Sequence, residues 1–90
     1  MALPLGKVYG TMGALLAFAR ALDENLNSYV SRHAAGDWGE LTEHDRQSNE
    51  YAVKCGLRVL SAYRLSTGEK IWVITEADRS MTTILLPEEY

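Results

Sequence analysis

Ninety residues with 47% hydrophobic and 23% charged side chains have the composition of one small globular domain, which we expect to span residues 1–90. The net charge of −3 disfavours nucleic acid as a partner, because the overall field repels phosphate. A single cysteine excludes an intrachain disulfide, and no apolar stretch is long enough for a signal peptide or a membrane span. These observations predict a cytoplasmic protein without membrane contact.

The first third of the chain predicts two helices after a candidate edge strand at Lys7-Val8-Tyr9. Thr11 suits the N-cap of the first helix, since its hydroxyl can accept from an early amide. Four residues at helical spacing predict the buried face of that helix: Leu15, Phe18, Ala19 and Leu22. The same spacing predicts the buried face of a second helix: Leu26, Tyr29, Val30 and His33. Gly36 then suits the left-handed position after a helix that ends near Ala35.

A third helix is predicted after the glycine-flanked loop 36–40. Thr42 followed by Asp45 resembles a capping box, and acidic residues fill the first turn, where the helix dipole favours them. Gly56 ends this helix just after Cys55. Its apolar face is weak, so we expect it to lie on the surface.

The last third predicts a β-meander. Residues 57–65 alternate apolar and polar in a period of two, which is typical of a strand with one buried face. Residues 66–69 suit a hairpin loop, residues 70–76 a central strand, and residues 81–86 a third strand after the turn 77–80. The sequence therefore predicts an α+β fold of two to three N-terminal helices followed by a three-stranded antiparallel meander.

The usual signatures of a metal or catalytic site are not found in this sequence. His33, His44, Asp37 and Cys55 do not follow any metal-ligand spacing, and His33 ends an apolar stripe, which favours packing against the core. Cys55 follows a helix rather than opening one, so we expect a small buried cysteine and not a thiolate nucleophile. We predict no catalytic residues, no metal and no cofactor.

Two groups of residues are candidates for binding. The first is the loop residues Asp37, Trp38 and Glu40 within the acidic segment 36–56, which has a net charge of −3. Trp38 suits either a contact anchor or a lid over the small core, and the lid is favoured. If the loop is a contact surface, its charge predicts a basic protein partner.

The second group is basic. Arg58 and Arg64 share the exposed face of the first meander strand, Lys70 lies across the hairpin, and Arg79 lies in the following turn. Such a stripe can bind phosphate or an acidic partner, although charges on an exposed sheet face also serve solubility. A homodimer remains open as well, because a core of this size gives only a small net stability.

Two segments resemble a family of small proteins from bacterial plasmids and integrative elements: His33-Ala34-Ala35-Gly36-Asp37-Trp38-Gly39-Glu40 and Trp72 to Tyr90. The resemblance implies an accessory role in mobile DNA and brings no catalytic residues with it. Members are often labelled as the M subunit of type I restriction enzymes. That activity needs an Asn/Asp-Pro-Pro-aromatic motif, and the only prolines of this chain are Pro4 and Pro87.

The predicted order of elements also resembles the RelE/ParE class of toxins. That resemblance implies a ribonuclease site on the sheet, formed by four basic residues with one of two tyrosines: Arg58, Arg64, Lys70 and Arg79, with Tyr63 or Tyr90. The acidic charge, the third helix and the lack of a basic C-terminal segment depart from that pattern. We therefore expect a non-enzymatic accessory protein that acts through protein contacts, with a toxin or a weak nucleic-acid-binding protein as the alternatives.

Overall fold

The computed structural model describes residues 2–90 of the chain, and Met1 lies outside that range. Within it lie three helices: α1 (Met12–Arg20), α2 (Leu26–Ala34) and α3 (Glu43–Cys55). Four strands make one sheet: β1 (Lys7–Gly10), β2 (Val59–Arg64), β3 (Lys70–Thr75) and β4 (Met81–Leu85). A 3₁₀ turn at Pro87–Glu89 follows the last strand. The predicted α+β class is confirmed.

The sheet has the strand order β1-β4-β3-β2. Strands β2, β3 and β4 pair antiparallel, with Ser61 opposite Val73 and Val73 opposite Ile84, so the predicted meander is confirmed. β1 is the predicted edge strand, and it lies parallel to β4 with Val8 opposite Thr82. The sheet is therefore mixed rather than purely antiparallel.

The inner face of the sheet packs against α1 and α2. Strand side chains alternate between the two faces, so every second residue of the meander is buried there. The large apolar members of this set are Val59, Tyr63, Ile71, Val73 and Ile84. The predicted stripe of α2 is confirmed, because Tyr29 and His33 are buried while Leu26 and Val30 pack against the same cluster.

The predicted buried face of α1 is wrong. Ala14 and Ala17 are fully buried against the sheet, and Phe18 is the one member of the predicted stripe that packs on the core. Alanine side chains let a helix lie close to a sheet, so the longer side chains of the same helix are left on the other side. The remaining members of the predicted stripe are exposed: Leu15, Ala19 and Leu22.

The helix ends follow the predicted capping. The Thr11 hydroxyl accepts from the Ala14 amide at 3.1 Å, and the Thr42 hydroxyl accepts from the Asp45 amide at 3.1 Å. Gly56 ends α3 in the left-handed conformation, with φ of 68°. Because capping depends on a few adjacent residues, sequence alone places these boundaries well.

A chain of buried hydrogen bonds joins α2 to the inner face. His33 Nδ1 lies 2.5 Å from Ser61 Oγ, and His33 Nε2 lies 2.8 Å from Thr75 Oγ1. Thr75 Oγ1 lies 2.7 Å from Thr82 Oγ1, which donates to the Leu5 carbonyl at 2.8 Å. The Thr82 proton is thereby committed, so Thr75 donates to Thr82 and accepts from His33 Nε2. His33 Nδ1 is left to accept from Ser61, which fixes one neutral tautomer of the imidazole.

The free edge of β2 is covered by the segment that leads into α3 and by α3 itself. The Ala62 amide donates to the Trp38 carbonyl at 3.1 Å, and the Glu40 amide donates to the Ala62 carbonyl at 2.7 Å. Further along, the Asn49 side chain donates to the Leu60 carbonyl at 2.6 Å and accepts from the Leu60 amide at 3.3 Å. β1, at the opposite end of the sheet, has a strand neighbour on one side only.

Candidate binding surfaces

The predicted contact loop is anchored to the core. Trp38 is only 3% exposed, packs edge-on against His33, and donates from Nε1 to Glu50 at 2.8 Å. This burial supports the lid interpretation of Trp38, and it leaves the indole little free surface for the contact-anchor interpretation. Arg32 donates to Asp37 at 2.7 Å and thereby holds the pKa of that carboxyl below its usual value. The Asp37 carbonyl also accepts from the Tyr63 hydroxyl at 2.6 Å.

The predicted arginines do not converge. Arg58 donates to the Tyr90 hydroxyl and lies over the Tyr90 ring, 5.0 Å from its centroid. Arg64 lies six positions after Arg58 along the same extended segment, so their Cα atoms are roughly 20 Å apart. The Arg64 guanidinium is 3.4 Å from Glu40 and 3.3 Å from the Gly68 carbonyl. These contacts separate the two ends of the predicted basic stripe.

Arg79 has a structural position between α3 and the sheet. Its guanidinium donates to three backbone carbonyls, at 3.1 Å to Ala52, 2.7 Å to Leu57 and 3.2 Å to Glu76. Two of these lie at or just beyond the C-terminal end of α3, where a positive charge complements the helix dipole. The Arg79 guanidinium therefore stabilises the contact between α3 and the sheet.

The outer face of the sheet, opposite α1 and α2, carries a cleft of about 420 Å³. The floor is formed by apolar side chains of the meander, and α3 with the residues before it forms one wall. We call this the outer-face cleft. It is lined by Glu40, Leu41, Asp45, Ser48, Asn49, Leu60, Ala62, Tyr63, Lys70 and Trp72. A volume of this size is typical of sites that hold one small molecule or a few side chains.

Trp72 is the largest side chain of the cleft, and it is half-buried. Tyr90 packs edge-on against it, with the ring centroids 5.6 Å apart. Ala62 lies directly opposite Trp72 in the neighbouring strand, so its short side chain leaves the space that the cleft occupies. The rim carries two acids, Glu40 and Asp45, and one base, Lys70. The cleft therefore combines an aromatic floor with a rim of net charge −1.

A second surface is mainly apolar, with Lys7 at its edge. It combines the β1 edge with the solvent side of α1 and with Leu22 just beyond that helix, and we call it the α1–β1 surface. Its large side chains and their exposed fractions are Val8 44%, Tyr9 49%, Met12 71%, Leu15 47%, Leu16 50% and Leu22 90%. Since the opposite side of α1 is also apolar, this helix is hydrophobic around most of its circumference. In the sequence this was visible as the absence of charge from Met12 to Ala19.

The other candidate residues give no site in the described chain. Residues 2–90 contain no group of three side chains that could hold a metal ion, and no helix among them could cross a membrane. Both nitrogens of His33 are engaged within the core. The expectation that Cys55 is buried is wrong, because it lies on the exposed side of the last turn of α3.

The chain matches no protein-family model, no curated protein and no solved structure.

Proposed function

We propose that this protein acts by binding a partner protein, and that the outer-face cleft holds a short segment of that partner. The observation that carries the proposal is the position of the acidic segment. Two of its acids, Glu40 and Asp45, lie on the cleft rim beside the aromatic floor of Trp72. Tryptophan in a desolvated pocket is a frequent hot spot of protein interfaces. The acidic segment and the aromatic group that the interface needs are thus adjacent.

The chemistry of the cleft indicates what the segment carries. An aromatic or long aliphatic side chain fills the space above Ala62 and packs on Trp72. A neighbouring lysine or arginine pairs with Asp45, which is exposed, and competes with Arg64 for Glu40, which lies 3.4 Å from the Arg64 guanidinium. Ser48, on the exposed surface of α3, supplies a hydroxyl for the backbone of the segment. The partner that fits is a protein with a basic, aromatic-containing segment.

The proposal has two further parts. An accessory role in mobile DNA is supported by the resemblance of residues 33–40 and 72–90. A cytoplasmic location is supported by the single cysteine and by the apolar stretches being short.

The alternative of phosphate or RNA binding finds less support in the geometry. Arg79 is committed to backbone carbonyls, Arg58 to Tyr90, and Arg64 lies beside Glu40. Only Arg64 and Lys70 lie side by side, as cross-strand partners, and two acids of the cleft rim balance their charge. A clustered basic site would need these side chains to leave their present contacts.

The proposal is tested by panning a random peptide display library on the purified protein. We expect enrichment of peptides that contain an aromatic residue next to lysine or arginine. Ser48→Arg should abolish their binding, because it fills the cleft and places a positive charge beside Glu40 and Asp45. Ser31→Arg is the matched control, since Ser31 is exposed on α2, away from the cleft. It adds the same charge to the molecule and should leave binding unchanged.

Enrichment of acidic peptides, or peptides that bind the Ser48→Arg variant as well as the unmodified protein, would contradict the proposal. An RNA oligonucleotide serves as a further probe. If it binds, and Arg58→Ala or Arg64→Ala weakens that binding, the nucleic-acid alternative replaces protein binding.

A further inference from the structure

The two edges of the sheet are treated differently by the fold. β2 is covered along its length by the Trp38–Glu40 segment and by the Asn49 amide. β1 is short and begins with Lys7, but it contains no proline, and its central residues Val8 and Tyr9 are apolar or aromatic and exposed. Exposed edges of this kind pair with another strand. The open edge of β1 is therefore a candidate site for pairing with a strand of another chain.

The backbone of β1 shows which groups are available. The Lys7 amide donates to the Ser80 carbonyl at 3.1 Å, and the Thr11 amide donates to the Ile84 carbonyl at 2.9 Å. Odd-numbered residues therefore direct their backbone groups toward β4, and the groups of Val8 and Gly10 point to the free edge, because these directions alternate along a strand.

We infer that a second copy of this chain occupies the α1–β1 surface, with the two β1 strands paired antiparallel across a twofold axis. The outward groups require even-numbered residues to pair with each other, and one such register uses the outward groups of both Val8 and Gly10 in each copy. Val8 exchanges hydrogen bonds with Gly10 of the second copy, and Tyr9 faces Tyr9 of the second copy across the axis. The two sheets then join into one sheet of eight strands, and the two α1 helices pack together above the junction.

The surface fits itself in this register. Val8 lies on the inner face, opposite Gly10 of the second copy, which has no side chain. Leu15 of that copy packs next to its Gly10, so Val8 also comes beside Leu15. Lys7 lies opposite Thr11 of the second copy. The Thr11 hydroxyl donates to Glu89 at 2.6 Å, so each Lys7 comes near a carboxylate of the other chain.

Charge and area favour a second copy over an unrelated partner. The one charge of α1, Arg20, is held in a two-point pair with Glu69 at 2.6 and 2.9 Å, so like charges do not oppose each other at the axis. The six large side chains expose on the order of 600 Å² per copy, most of the roughly 800 Å² per partner of a standard interface. The backbone of the paired strands adds to this area.

The dimer also has a consequence for binding. A twofold axis perpendicular to the sheet keeps both outer faces on the same side, so two outer-face clefts face the same way. A partner with two suitable segments would bind both, with a gain from effective concentration. The dimer itself does not depend on the proposed function, because the α1–β1 surface and the cleft share no residue.

Disulfide trapping tests the register. In a Cys55→Ser background, Tyr9→Cys should form a disulfide-linked dimer under mild oxidation, because directly opposed residues of this type lie about 4.5 Å apart between Cα atoms. Lys7→Cys is the control on the same face of the same strand. In this register Lys7 lies opposite Thr11 of the second copy, four positions away from the Lys7 of that copy. Its cross-linking should therefore be at least tenfold slower. Equal or faster linking through Lys7→Cys would overturn the register.

Light scattering over a concentration series tests the dimer itself. We expect the unmodified protein to have the mass of two chains and Leu16→Glu to raise the dimer dissociation constant by about 100-fold, because association then buries a carboxylate of each chain in the apolar α1–β1 surface. Leu57→Glu is the matched control, since Leu57 is 47% exposed but lies away from the surface. A monomer at every concentration, or a dimer broken by Leu57→Glu and not by Leu16→Glu, would overturn the inference. Either result leaves the peptide test of the cleft unaffected.

Discussion

At the scale of single residues, His33 shows how a polar side chain is accommodated in this small core. The Leu5 carbonyl ends a chain of hydroxyl groups, and each donor in that chain fixes the next until the imidazole has one tautomer. Protonation would place a second hydrogen on Nδ1, where Ser61 already donates. Burial, with a smaller effect of the Arg79 charge, lowers the pKa of His33 to about 4.

This arrangement predicts a pH-dependent stability. The unfolded chain takes up a proton near the ordinary value of 6.5, while the folded chain resists it until about pH 4. The stabilising effect is therefore complete above pH 7 and is lost as the pH falls through this window, by about 2 kcal/mol between pH 7 and pH 5. Urea unfolding at both pH values checks it. His33→Gln, which cannot titrate, should lack this part of the slope, and an equal slope in both proteins would contradict the assignment.

Gly39 is required by the edge contact of β2. Its φ is 74°, and an added Cβ would lie 2.0 Å from the Ala62 carbonyl oxygen. We expect Gly39→Ala to lower the free energy of unfolding by more than 3 kcal/mol, because backbone on both sides must move.

Gly68→Ala provides the comparison for Gly39→Ala. Its φ is also positive, at 92°, but nothing lies within 4 Å of an added Cβ. It should cost only about 1 kcal/mol, the price of the backbone conformation. Similar losses in the two variants would show that the segment Trp38–Glu40 is not closely packed on β2.

At the scale of elements, α1 shows which structural features the local sequence can predict and which depend on distant parts of the chain. Its sequence is apolar on both sides, so periodicity alone cannot decide which side faces the sheet. α2 gave the correct face because polar residues occupy its other side. The meander and the caps were also predictable, since alternation, hairpin glycines and capping hydroxyls act over a few residues. The parallel pairing of β1 with β4 joins residues more than seventy positions apart, and local patterns do not report it.

The position of α1 predicts two opposite outcomes, one inside the helix and one two residues beyond its end. Ala17→Leu should lower the free energy of unfolding by about 2 kcal/mol or more, because Ala17 is fully buried against the sheet and leaves no space for a longer side chain. Leu22→Ala should change stability by less than about 0.5 kcal/mol, since that side chain is 90% exposed. Urea denaturation at low protein concentration measures both. A larger loss of stability from Leu22→Ala than from Ala17→Leu would show that the helix face predicted from periodicity is the buried one.

At the scale of the whole molecule, the candidate site was only partly predictable. The sequence indicated an acidic contact segment and an aromatic group, and Glu40 does line the cleft. It named Trp38 as the candidate aromatic residue, with the lid interpretation favoured, and gave no reason to consider Trp72. Trp38 is buried and Trp72 half-buried, because distant elements cover them differently. Trp72 looked like one residue of a buried central strand. Its free surface arises because α3 packs over the edge of β2 and Ala62 is small, and no local pattern contains that information.

The two tryptophans also provide the most direct test of the central claim, that the outer-face cleft binds a basic, aromatic-containing segment. The ¹⁵N-labelled protein is titrated with such a peptide, and the two indole N–H signals are followed by NMR. We expect the Trp72 signal to shift to saturation and the Trp38 signal, held by Glu50 in the core, to stay in place. An unmoved Trp72 signal at saturating peptide, or shifts confined to Arg58 and Arg79, would contradict the account.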